Sequence, residues 1–278
     1  MNSQTSSSLS ALRDLDRDRY LACLYLPVDL RQDASAIYAF GAETARIAEL
    51  VSEPMPGEIR LEWWREVISL SRDHGNNQIA GELLTTIERN KLPKQVLLDY
   101  LDARIFDLYS DPMPDHATLE GYCGETASAL LNLIAICAGA NPDRNLADAC
   151  GHAGVAITVT QLVKVTAAFR LRQRVYVPAD ILSAAGLNAS SWLSDEPDQR
   201  HLNAVAIMIG MARDHYHEAV QAIYKLDKTF HPIFLPLATM PATLDAVEKS
   251  GLLLFKDTIQ PGALRRQWLM WRGGVFGL

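Results

Sequence analysis

The run LADACGHAGVAITVTQLVKVTAAF, residues 146–169, decides the fold. It is free of proline and long enough for about six turns of α-helix. One part of it is rich in small residues, Gly151, Ala153, Gly154 and Ala156. Small residues let two helices approach closely. Asn141-Pro142 breaks the chain before it, because proline lacks the amide proton that a helix interior uses. After it, Arg174-Val175-Tyr176-Val177-Pro178 reads as extended, and a short helix at 179–185 is stopped by Gly186.

Outward from that run, the helical period dominates. Helices are predicted over 10–24, with Ser10 as N-cap, and over 32–52, where Ile37, Phe40, Thr44, Ile47 and Val51 recur at three- and four-residue spacing. Pro54 and Pro56 end the second of these. Further helices are predicted over 57–72, 78–90, 94–110, 118–137, 202–224 and 243–255, with a looser region punctuated by Pro232, Pro236 and Pro241. The longest apolar stretch, 127–140, carries Ser128 and Asn132 and falls short of the roughly 20 residues a bilayer requires. It reads as a buried helix. Strand signals are nearly absent, with no alternating run closed by a tight Asn-Gly or Asp-Gly turn. No internal repeat and no polar linker divides the chain. The expectation is an all-α fold in one domain, 11–278, behind a flexible polar N-terminus, 1–10.

Composition narrows the function. The 278 residues are 49% hydrophobic, and 33 acids outnumber 26 bases for a net charge of -7. That excludes a disordered chain and argues against a nucleic-acid binder, which needs a basic face. The first ten residues carry neither a basic nor an apolar export signal. Cys23, Cys123, Cys137 and Cys150 form no CxxC pair and are read as reduced, buried thiols. The seven histidines give no zinc spacing, and Gly-rich phosphate loops and Gly-x-Ser-x-Gly are missing.

Two helices carry a resemblance. One holds Ile37-Tyr38-Ala39-Phe40 after Leu26-Pro27, followed by Glu43, Arg46 and Glu49. The other holds Gly154-Val155-Ala156, then Gln161-Leu162-Val163-Lys164, and exits through Arg174-Val175-Tyr176-Val177-Pro178-Ala179-Asp180. In order and spacing this framework resembles the squalene/phytoene synthase family, best over 20–185. The resemblance implies a helical fold around a central cavity. It also implies head-to-head condensation of prenyl diphosphates, with aspartates four apart holding Mg²⁺. This sequence departs from the family there. The first motif falls on Ala45, Arg46 and Glu49, the second on Val165 and Phe169, with Gln161 and Lys164 just before it. Only Glu49 keeps a carboxylate, so no metal ligand and no cofactor is expected. A narrower branch is more similar, through Phe40-x-x-Glu43, Val51-Ser52-Glu53 and Arg60-Leu61-x-Trp63-Trp64-Arg65. That branch contains the mitochondrial respiratory complex I assembly factor with a squalene-synthase-like fold.

Individual residues admit more than one reading. Glu49 and Glu53, and Glu58 and Glu62, share helix faces, as an acid pair or as a solvated face. Trp63 and Trp64 diverge by about 100° on a helix, which sends one inward and leaves the other at an edge. Arg46 or Arg60 is expected to point into the cavity within an ion-pair network. Lys164, Arg170, Arg172 and Arg174 form an acid-free run, either an anion site without metal or a cationic helix end complementing the dipole. The tail, 264–276, mixes cations with tryptophans and fits a membrane surface, a partner or the fold itself.

The expected function is a non-catalytic family member supporting assembly of respiratory complex I, without catalytic residues. The expected ligand-facing residues are Tyr38, Arg46, Glu49, Gln161, Lys164, Arg174 and Tyr176. The alternative is a binder of prenyl diphosphate or lipid, or a farnesyl or geranylgeranyl diphosphate transferase. The expected location is cytoplasmic, peripheral at the inner membrane face.

Overall fold

The computed structural model describes residues 6–71 and 75–278. Arg72 and His74 of the sequence reading lie outside them. The chain runs through α1 (Ser7–Leu15), α2 (Arg17–Leu24), α3 (Val28–Leu50), α4 (Pro54–Leu70) and α5 (Gln78–Asn90). It continues through α6 (Lys94–Ile105), α7 (His116–Cys123), α8 (Ala129–Cys137), α9 (Arg144–Lys164) and α10 (Thr166–Leu171). It ends with α11 (Ala179–Ala184), α12 (Ala189–Ser194), α13 (Gln199–Ile223), α14 (Met240–Ser250) and α15 (Ala263–Phe276). No strand occurs among the described residues. The expected all-α fold is what the chain adopts.

Helix α9 is the axis. It packs along α13 more extensively than any other helix pair described. Its length and hydropathy would let it cross a membrane, but 61% of the relevant window is buried by protein, which identifies a core helix. The small residues act where the sequence places them. A Cβ on Gly154 would stand 2.0 Å from Ser128 Oγ and 2.5 Å from Ser128 N. The partner at this closest approach is a one-turn π-helix, Gly124–Ser128, between α7 and α8. The helix expected over 118–137 runs unbroken from His116 to Cys137 but widens into a π-turn where α9 presses on it.

Other differences have local causes. Asp16 ends α1 and caps α2 by accepting from Arg19 N at 3.0 Å, so the single helix expected over 10–24 is two. The first begins at Ser7, capped by Ser6, which brings residues 7–10 into the fold. Helix α9 stops at Lys164 rather than running to Phe169, and Thr166 Oγ1 donates back to Val163 O at 2.9 Å as α10 restarts. The segment from Lys228 to Thr239 is a 3-10 helix holding Pro232 and Pro236, neither of which has an amide proton to donate.

The adjacent tryptophans diverge. Trp64 is 4% exposed and meets Phe40 edge-on at 5.1 Å, whereas Trp63 is 36% exposed. The four cysteines are free, and burial pushes each thiol up to about 12. His201 sits fully buried in the capping box of α13, with Nδ1 2.9 Å from Asp198. His152 and His215 touch through their Nδ1 atoms at 3.1 Å.

Candidate functional site

The C-terminal halves of α3 and α9 open onto a cavity of about 760 Å³, a size typical of small-molecule sites. Its lining includes Ala45, Arg46 and Glu49 from α3, and Gln161, Lys164, Val165 and Phe169 from the end of α9 and the start of α10. Arg174 and Tyr176 follow from the extended segment. Six of the seven ligand-facing residues expected from sequence therefore converge on one space. Tyr38 does not line it. That ring is buried behind the wall with Arg19 stacked on it at 5.1 Å, and its hydroxyl has no hydrogen-bond partner.

Arg46 or Arg60 was expected in the cavity, and Arg46 is the one that lines it. The cationic run also divides. Lys164, Arg172 and Arg174 line the cavity. Arg170 turns the other way, donates to Leu193 O and Asp195 O at 3.2 and 2.9 Å, and stacks on Phe255.

The charge inventory is uneven. Seven lining residues are cationic (Arg19, Arg46, Arg104, Lys164, Arg172, Arg174, Arg266), and five are acidic (Asp14, Asp16, Asp18, Glu49, Asp107). Each of those five carboxylates has an arginine. Asp14 lies 3.6 Å from Arg13, and Asp16 lies 3.5 Å from Arg19. Asp18 lies 3.0 Å from Arg266, Glu49 3.6 Å from Arg172, and Asp107 2.9 Å from Arg104. Arg46, Lys164 and Arg174 make no such pair among the described residues. In a chain of net charge -7, the cavity lining thus carries more cations than acids. Lys164 is half-buried, and burial pulls its pKa below the ordinary lysine value.

One wall is a network that sequence reading missed. Arg104 Nη1 donates to Asp107 Oδ2 at 2.9 Å and to Tyr122 Oη at 2.7 Å. Tyr122 and Tyr176 each donate to Asp107 Oδ1 at 2.9 Å. Arg104 Nε donates to Tyr100 Oη, which in turn donates to Gly41 O on α3. Burial pushes both Tyr122 and Tyr176 up, so their phenols remain donors. The available signal was Arg104-x-x-Asp107, a charged pair three apart inside an apolar segment. At the other end, Arg266 approaches Asp18 without hydrogen-bond alignment, and burial holds Asp18 above the usual carboxylate range despite that cation. Thr160 Oγ1 is buried there without a partner.

Behind Phe169, Arg174 and Tyr176 lies an apolar recess of about 20 Å³ reaching Trp192 and Met208. That volume holds about one water molecule.

Residues 12–272 match the squalene/phytoene synthase family. Among curated proteins, the chain is 27% identical over 254 residues to NADH dehydrogenase (ubiquinone) complex I, assembly factor 6, of Bos taurus, covering 91% of this chain and 76% of the relative. The Homo sapiens protein of the same name is 26% identical over the same shares. A phytoene synthase of Arthrospira platensis is 24% identical, covering 86% of this chain and 82% of that one. Among solved structures, a dehydrosqualene synthase superposes with a TM-score of 0.79 at 14% identity, over 95% of this chain and 93% of that one. The squalene synthase HpnC from Alicyclobacillus acidocaldarius gives 0.66 at 20% identity, over 88% and 94%. The helical order, the cavity between α3 and α9 and the match along nearly the whole length agree: this chain belongs to the squalene/phytoene synthase family.

Proposed function

We propose that the protein is a non-catalytic member of its family that supports assembly of respiratory complex I. The observation that carries this reading is the pairing of every cavity carboxylate with an arginine, which leaves Arg46, Lys164 and Arg174 over. Mg²⁺ is held through carboxylates that converge with substrate phosphates, and no group of three acids, histidines or cysteines placed to hold a metal occurs among the described residues. Glu49 faces Arg172, and its neighbours one turn away or less are Ala45 and Arg46. Val165, Phe169 and the cationic Lys164 stand at the second motif. This donor set does not suit magnesium, so no ionisation of a diphosphate is routed through one. The relatives named complex I assembly factor 6 match over 91% of the chain, which supports a role in that assembly.

The test is a deletion strain of the source organism, scored for assembled complex I on native gels and for NADH:ubiquinone activity. Loss of the assembled complex, restored by the wild-type gene, is the expected result. Normal assembly overturns the reading.

The three unpaired cations also favour a second reading, a cavity that holds an anionic headgroup without metal. Farnesyl diphosphate with a chelator present would then bind by calorimetry, and Lys164→Ala with Arg174→Ala would lose that binding. Turnover of farnesyl or geranylgeranyl diphosphate with Mg²⁺ would restore the transferase reading.

A further inference from the structure

We infer that the outer face of α15 is a docking surface for an anionic phospholipid bilayer. This helix is apolar on two opposite sides. Leu269 and Met270 are buried, and a Cβ on Gly273 would stand 2.9 Å from Ala238 Cβ, so that side is cemented to the 3-10 segment beneath. On the other side stand Leu264, Trp268, Trp271 and Val275, which are 82, 54, 48 and 55% exposed. At 100° per residue these four fall within an arc of about 60°. Among the described residues they stay about half or more open to solvent.

The patch extends beyond α15. The Tyr25 ring lies where a Cβ on Gly274 would collide with it at 2.6 Å, and Tyr25 and Val28 are themselves exposed. Charge selects the occupant. Helix α15 carries Arg265, Arg266 and Arg272 and no acid. Arg266 turns inward to Asp18 and Gln260. Arg265 and Arg272 fall on one flank of the apolar arc, and Arg272 reaches over the Trp268 ring at 5.8 Å. Asp29 adjoins Val28 in sequence, and Asp18, which touches α15, is taken by Arg266. Tryptophans between an apolar stripe and flanking arginines match the depth profile of a headgroup layer, with rings at the interface and cations among phosphates. The same helix places Arg266 in the cavity wall, so docking would set the cavity beside the bilayer.

The experiment is sedimentation of the full chain with vesicles of phosphatidylcholine alone or mixed with phosphatidylglycerol. Retention on the mixed vesicles is expected, weakened by salt. The double variant Trp268→Ser, Trp271→Ser should lose it by about tenfold or more. Arg265→Gln with Arg272→Gln should lose the preference for the mixed vesicles, by a similar factor. Unchanged thermal melting of both variants confirms that the exposed side chains were replaced without unfolding. Retention unaltered by the tryptophan changes overturns the proposal, as does failure of the wild type to bind either vesicle. Self-association abolished by the tryptophan changes, without vesicle binding, assigns the face to a second copy of this chain and also overturns it.

Discussion

Asp107 is 5% exposed and accepts hydrogen bonds from Arg104, Tyr122 and Tyr176. Its neighbour Arg104 is 14% exposed at the side chain and has no other carboxylate. Removing the acid leaves a buried guanidinium and two phenols without their acceptor, which costs far more than the pair contributes when whole. Asp107→Ala is therefore expected to lower stability by about 3–5 kcal/mol in urea unfolding. Asp107→Asn, which keeps an acceptor oxygen for the tyrosines, should lose clearly less. Equal losses in the two variants would mean that the charge on Asp107 carries the whole effect. At this scale the sequence was partly legible. Arg46, Glu49, Gln161, Lys164, Arg174 and Tyr176 meet in space because the family motifs fall on the cavity sides of α3, of α9 and of the extended segment after α10. Tyr38 misled, since its motif position sits on the inner side of α3 and periodicity alone does not separate a wall from the packing behind it. The Arg104 network stayed hidden because Asp107 and its tyrosines come from three separate segments, and only the fold brings them together.

Among the helices, the contact that sets the geometry is α9 against the π-turn at Gly124–Ser128. A Cβ on Gly154 would meet Ser128 N at 2.5 Å and Ser128 Cα at 2.7 Å as well as the hydroxyl. The obstacle is backbone, which does not rotate away. Gly154→Ala should cost about 3 kcal/mol or more, the upper range for overpacking, seen as a lower denaturation midpoint. Adding Ser128→Ala should not rescue it, because the clashing backbone atoms remain. Rescue by that second change would show that only the hydroxyl was in the way. Small residues in α9 announced a close approach, but not its partner. The π-turn itself had no sequence signal, because it is the response of one segment to pressure from another. Helix ends were legible where chemistry marks them. Gln78–Asn90 begins after an Asn77 cap and ends before Lys91-Leu92-Pro93, matching expectation. Short α12 was not expected at all, since six residues are too few for a period to emerge.

Taken whole, the molecule has two large apolar clusters. One gathers α3, α5, α6 and α8 around Phe40, Tyr100 and Leu130, and the other gathers α11, α12 and α13 around Leu182, Trp192 and Met208. Two clusters could melt apart, yet α9, α13 and α14 each give buried residues to both, and α9 gives a face to each. Ala149, Ala153, Ala156 and Ile157 of α9 enter the first cluster, and Val155, Val159, Leu162 and Val163 enter the second. These are the two faces of the same rod, so neither cluster can lose its half of α9 while the other keeps a straight helix. Calorimetry should therefore show one transition, with equal calorimetric and van't Hoff enthalpies. Val159→Ala tests the coupling directly. It deletes a fully buried side chain from the second cluster alone, at a cost of about 2 kcal/mol. In a coupled molecule that cost lowers a single peak as one. In an uncoupled molecule it splits the trace, moving the unfolding of α11–α13 below that of α3–α8. The split trace would divide the chain into two folding units at α9. The single peak would make the cavity, whose walls come from α3 and from the end of α9, only as stable as the molecule as a whole.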